Sequence, residues 1–153
     1  MTKQTGTATA QAPPTQLQAI AALAFNYYQQ GRLKEAETLF RGLQVLDRKG
    51  YLSYAGVGAI ALARKPPNLA EAYENLSKAA ELNPNDPSVQ ANLGEVLLRQ
   101  AKFEDAAAHF KNALYLDPQQ KDPGATRARA IIRGLTAVAK EVERIKTSSS
   151  AAA

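Results

Sequence analysis

Residues 93–118 read LGEVLLRQAKFEDAAAHFKNALYLDP. Two short apolar-periodic runs flank the polar break Gln100-Ala101-Lys102, the pattern of a helix, a tight turn and a second helix. Small and large residues alternate at fixed places: Leu93 beside Gly94, then Ala106, Phe110 and Ala113, closed by Pro118. Small side chains let paired helices approach, large ones fill the space left, and proline stops the second helix.

The same spacing recurs upstream. Ala36, Ala72 and Ala106 are each followed four residues later by a large apolar residue, Phe40, Leu76 and Phe110. The pairs Leu23-Ala24, Val57-Gly58 and Leu93-Gly94 form a second series. Intervals are 34 then 36 residues in this second series and 36 then 34 in the first. One two-residue insertion between Gly58 and Ala72 reconciles them. Arg64-Lys65-Pro66-Pro67-Asn68 lies there, a stretch suited to an extended turn. In this reading Leu23, Phe40, Leu76, Leu93 and Phe110 are the large residues that fill the space between helices.

A period near 34 with L-G, then A-x3-F, then P resembles the tetratricopeptide repeat. The expected fold is therefore all-α, a TPR α-solenoid of three helix-turn-helix repeats plus a C-terminal capping helix. Repeats are expected at 17–50, 51–86 and 87–120 within a TPR domain at 17–146. A disordered leader is expected at 1–16 and a flexible tail at 147–153. The capping helix at 123–146 carries Ala128, Ile131, Ile132, Leu135, Val138, Ala139, Val142 and Ile145 at three- and four-residue spacing. It is expected to cover the open end of the third repeat, with Arg129, Arg133, Lys140 and Arg144 on a solvated far side.

Composition bounds the function. The chain has 153 residues and no cysteine, so disulfides and thiolate metal sites are excluded. The formal charge of +5 is local: residues 123–146 hold six basic residues against Glu141 and Glu143. Four like charges on one helix without interleaved aromatics make nucleic acid and membrane surfaces unexpected partners. His109 is the only histidine and reads as a surface residue, since acid–base work needs a positioned partner. No phosphate loop, zinc motif or nucleophile elbow appears. No enzyme activity, cofactor or metal is expected.

Function is expected on the inner wall made by the first helix of each repeat. Repeat register places Ala21, Ala22, Phe25, Tyr28 and Gln29 there, then Leu52, Ala55, Gly56, Ala59, Leu62 and Ala63, then Ala91, Asn92, Glu95, Leu98 and Arg99. The peptide-binding groove proper is expected at Phe25, Tyr28, Gln29, Leu52, Ala55, Ala59, Leu62, Asn92, Glu95, Leu98 and Arg99. Small residues leave room for a peptide backbone and the flanking aromatics anchor it.

The run Leu23-Ala24-Phe25-Asn26-Tyr27-Tyr28-Gln29-Gln30-Gly31-Arg32, continued by Glu35-Ala36, Phe40, Leu43, Val45-Leu46-Asp47 and Gly56-Val57-Gly58, resembles the class II chaperones of bacterial type III secretion, the SycD/LcrH/IpgC family. The resemblance implies a cytoplasmic chaperone that holds a hydrophobic translocator subunit soluble before export. It implies an extended Pro/Leu-containing segment of that translocator as the ligand, with Phe25 and Tyr28 among the groove aromatics, and a homodimer as an assembly to look for. Leu76 stands where the family carries an aromatic. The alternative is a general TPR scaffold that joins subunits of an envelope or secretion complex.

Overall fold

The computed structural model describes residues 14–152. Seven helices follow one another: α1 (Pro14–Gln29), α2 (Leu33–Leu46), α3 (Tyr51–Ala63), α4 (Leu69–Leu82), α5 (Pro87–Arg99), α6 (Phe103–Leu116) and α7 (Pro123–Ala151). No strand occurs among the described residues. Consecutive helices pack as pairs, and α1 touches α3 while α3 touches α5. This is the tetratricopeptide-repeat solenoid, with α1, α3 and α5 side by side as its inner layer. The expected leader lies outside the described residues except for 14–16, which form the first turn of α1. The helix α7 runs through residues 147–151, where a tail was expected.

Local chemistry sets the helix ends. Asn68, Asp86 and Asp122 each cap a helix, their side-chain oxygens accepting the amide N–H of Glu71, Val89 and Ala125. Pro87 and Pro123 open α5 and α7, where the missing N–H has no helical partner to lose. The insertion expected between Gly58 and Ala72 is the α3–α4 turn at residues 64–68, which holds a cis Lys65–Pro66 bond.

Close approach of the helices rests on the small residues. A Cβ at Gly58 would lie 2.6 Å from Leu76, one at Gly94 2.6 Å from Phe110, and one at Gly56 2.5 Å from Phe40. Each is a clash that only glycine avoids. Phe40, Leu76 and Phe110 fill the space thus created and are fully buried or nearly so. The helix α3 is apolar on every side and nine of its thirteen residues are buried, because it lies between the first and third repeats. Across the first two repeats, Glu37 and Glu71 share Arg41 and Arg64. Arg64 bonds Glu37 at 2.6 Å and Glu71 at 2.9 Å; Arg41 bonds Glu37 at 2.7 Å and also reaches Glu71.

Two sequence expectations are corrected here. Leu23 was expected to fill interhelical space, yet it is 46% exposed. Its counterparts Val57 and Leu93 are buried against the preceding repeat, and among the described residues α1 has no preceding repeat to meet. The capping helix covers the third repeat only through its first turns. Gly124, Ala125 and Ala128 are buried and Ile131 and Ile132 partly so; every residue from 133 to 152 is exposed.

Candidate functional site: the inner wall

The wall expected from the repeat register draws on α1, α3 and α5, and in the structure α3 touches both α1 and α5. At its α1 end, Phe25 and Tyr28 are partly buried and pack on the first-repeat core. The Phe25 ring meets Phe40 edge-on, with centroids 4.9 Å apart. That contact holds Phe25 against the core and leaves the residue only partly covered. Gln29, one turn on, is exposed. Leu52 at the start of α3 packs against the same core and is also partly exposed.

The middle of the wall is a floor, not a series of pockets. Ala55, Ala59 and Leu62 keep 8%, 8% and 6% of their surface. Ala55 and Leu62 belong to the core shared with α4 and α5. Sequence reasoning assigned these residues to the inner face without foreseeing that they are buried.

At the α5 end the wall becomes ionic. Glu95 bonds Arg99 at 2.7 Å along the helix. A fourth residue joins them that sequence reasoning missed. Arg127, on the first turns of α7, donates to the Asn92 side-chain oxygen at 2.5 Å and lies 3.9 Å from Glu95. Asn92, Glu95, Arg99 and Arg127 therefore form one polar cluster. Its only sequence sign was the placement of a basic residue just after the Asp122-Pro123 helix start. Leu98 leaves the groove set: it packs into the core of the third repeat and α7. With Phe103, Phe110, Leu114, Ile132 and Leu135 it lines an apolar cavity of about 370 Å³ between α6 and α7.

Two further polar residues prove structural. His109 is not a surface residue as expected: it is half-buried, and its Nδ1 lies 2.8 Å from the Oε1 of buried Gln90. The Gln90 amide nitrogen donates to the Pro84 carbonyl, so its oxygen is the acceptor and His109 Nδ1 carries the hydrogen. Burial lowers the His109 pKa, opposed by the Asp105 carboxylate. Arg129, expected on the solvated side of α7, instead clamps the buried Asp117. It reaches the Asp117 carboxylate at 3.2 Å and its carbonyl at 2.7 Å. Burial pushes the Asp117 carboxyl up, but the amide N–H groups of Lys121 and Asp122 and the Arg129 guanidinium outweigh it and hold the pKa below its ordinary value.

No helix among the described residues is long and apolar enough to cross a membrane. No group of three His, Cys, Asp or Glu stands together among them.

Comparison with known proteins agrees with the repeat architecture. A tetratricopeptide-repeat family model matches residues 63–132. The Low calcium response locus protein H of Yersinia pestis is 26% identical over 129 residues, covering 83% of this chain and 75% of that protein. PcrH, a Pseudomonas aeruginosa protein solved in complex with the chaperone binding region of PopD, superposes with a TM-score of 0.68 at 26% identity, over 84% of this chain and 97% of that one. The Yersinia enterocolitica type III secretion translocator chaperone SycD gives 0.64 at 25% identity, over 80% and 91%.

Proposed function

We propose that this tetratricopeptide-repeat chain, similar to the class II chaperones SycD, PcrH and LcrH, is itself a non-enzymatic chaperone that binds an extended apolar segment of a secreted translocator along α1, α3 and α5. It would hold that subunit soluble in the cytoplasm before export. The observation that carries the reading is the likeness to PcrH, whose solved complex contains the chaperone binding region of PopD.

The wall supports it physically. Phe25, Tyr28 and Leu52 offer partly exposed apolar surface at one end. The sealed alanine floor lets a peptide backbone lie close without meeting long side chains. At the other end, the Asn92 and Arg99 side chains supply hydrogen-bond donors for main-chain carbonyls, and Arg127 adds a third. An apolar segment with leucine or proline toward α1 and free carbonyls toward α5 fits this polarity.

The test is titration of a Pro/Leu-rich translocator peptide into wild type and Tyr28→Ala. Tyr28 is the better target because Phe25 also supports Phe40. Removing a partly exposed aromatic anchor is expected to cost about 2 kcal/mol of affinity, roughly 30-fold. Equal affinity for both proteins, with unchanged helicity, removes the groove from the account.

A further inference from the structure

The exposed half of α7 carries a second surface that the groove does not use. Ala128, Ile131, Leu135, Val138, Val142 and Ile145 follow one another at intervals of three, four, three, four and three residues. That is the a/d spacing of a coiled-coil seam, widened on one side by Ile132 and Ala139 at e. The first two members are used within the chain: Ala128 is buried and Ile131 packs on the third-repeat core. The last four stay largely open to solvent, and among the described residues Val138, Val142 and Ile145 belong to no core cluster. Leu135, Val138, Val142 and Ile145 are 49%, 62%, 44% and 52% exposed. Leu135 also lines the cavity between α6 and α7, so the exposed apolar row begins at that cavity. An apolar helix face left this exposed is stabilised mainly by whatever covers it.

The charges beside the seam say what covers it. With Leu135 and Val142 at a, and Val138 and Ile145 at d, the flanking positions along the exposed stretch are Ala139 and Lys146 on one side and Glu141 and Ser148 on the other. The two charged flanks, Glu141 and Lys146, are of opposite sign. They stand five residues apart, the offset at which the g and e residues of two parallel helices meet. Among the described residues Glu141 bonds only Arg144, at 2.7 Å on its own exposed surface, a pair of little energetic weight.

We propose that the exposed half of α7 is a self-association seam, occupied by α7 of a second copy of this chain in parallel, with Glu141 of each copy facing Lys146 of the other. The β-branched Val138 and Ile145 at d admit more than two strands, so the assembly is a dimer or a small parallel bundle. Two heptads make it weak and concentration-dependent. It is independent of the peptide groove.

Sedimentation of the full chain across a concentration series tests this. Wild type is expected to rise with concentration toward twice the 16.4 kDa of one chain or more. The pair Val138→Lys and Val142→Lys, both exposed and outside the repeat cores, is expected to stay monomeric with unchanged thermal unfolding of the repeats and unchanged peptide affinity. Glu141→Lys is expected to raise the dissociation constant about tenfold, and Glu141→Lys with Lys146→Glu to restore it. A wild type that stays monomeric throughout overturns the proposal. So does self-association that survives the valine substitutions, and failure of the double charge reversal to restore affinity overturns the parallel register.

Discussion

The first and third repeats share a backbone and differ in what they present. The α1–α2 turn passes through Gly31 at φ 75° and the α5–α6 turn through Ala101 at φ 60°. Both are closed by the same two bonds. Gly31 N–H donates to Tyr28 O at 3.0 Å and Ala101 N–H to Leu98 O at 3.0 Å; Arg32 N–H donates to Tyr27 O and Lys102 N–H to Leu97 O, each at 2.9 Å. On the inner wall, however, Ala22, Phe25 and Gln29 are matched two repeats later by Asn92, Glu95 and Arg99. Packing dictates the frame because a wrong volume there is costly. The two ends of the wall are less constrained by packing, so one carries partly exposed aromatics and the other an ionic cluster.

The largest effect tests the shared frame. Phe40 and Phe110 are both sealed, at 0% and 2% exposure. Phe40→Ala and Phe110→Ala should each lower the unfolding free energy by about 3–5 kcal/mol, read by urea denaturation. Costs that differ by several-fold would mean that the two repeats are not packed alike, and the comparison would break.

A smaller effect tests the turns. Ala101 holds a left-handed conformation that glycine adopts freely, so Ala101→Gly should stabilise by about 0.5–1 kcal/mol. Gly31→Ala should destabilise by a similar amount, and without steric help, because nothing lies within 4 Å of the added Cβ. Both shifts appear in thermal unfolding. Equal melting temperatures for all three proteins would show that the turns differ in a way their matching bonds conceal.

The repeat frame was legible in the sequence because it depends on local spacing: Ala36 to Phe40, Ala106 to Phe110 and the glycines opposite them. What was not legible depended on neighbours far along the chain or missing from it. Leu23 obeys the repeat pattern yet is exposed, since burial at that position comes from the preceding repeat. Arg127 and Arg129 are two residues apart on one helix, yet one enters the groove cluster and the other locks Asp117. Only the docking angle of α7 decides between those fates. The same holds for the inner wall: register alone predicts Phe25, Tyr28 and Arg99 there, while the burial of Ala55 and Leu62 comes from the core that α3 shares with α4 and α5.

The smallest effect concerns a pair that the two repeats solve with different chemistry. In the first repeat Ile20 and Leu39 each pack on the apolar core. At the equivalent places in the third stand Gln90 and His109, joined by a 2.8 Å hydrogen bond. Burial holds the His109 pKa below its ordinary 6.5, so the unfolded chain takes up this proton before the folded one does. The contribution of neutral His109 is therefore complete above pH 6.5 and declines as the pH falls from there through the lowered folded value. The shifted carboxyls act in a lower window. Glu37, held below 4.5 chiefly by its bond to Arg64, and Asp117 both contribute stability that is lost only as they protonate. Unfolding measured between pH 7 and pH 5 thus isolates the histidine. Gln90→Ile with His109→Leu, which copies the first repeat into the third, should flatten the profile in that interval while leaving the more acidic loss in place. A slope that persists in the double variant would assign the dependence to another group, and the third repeat would differ from the first only along its inner wall.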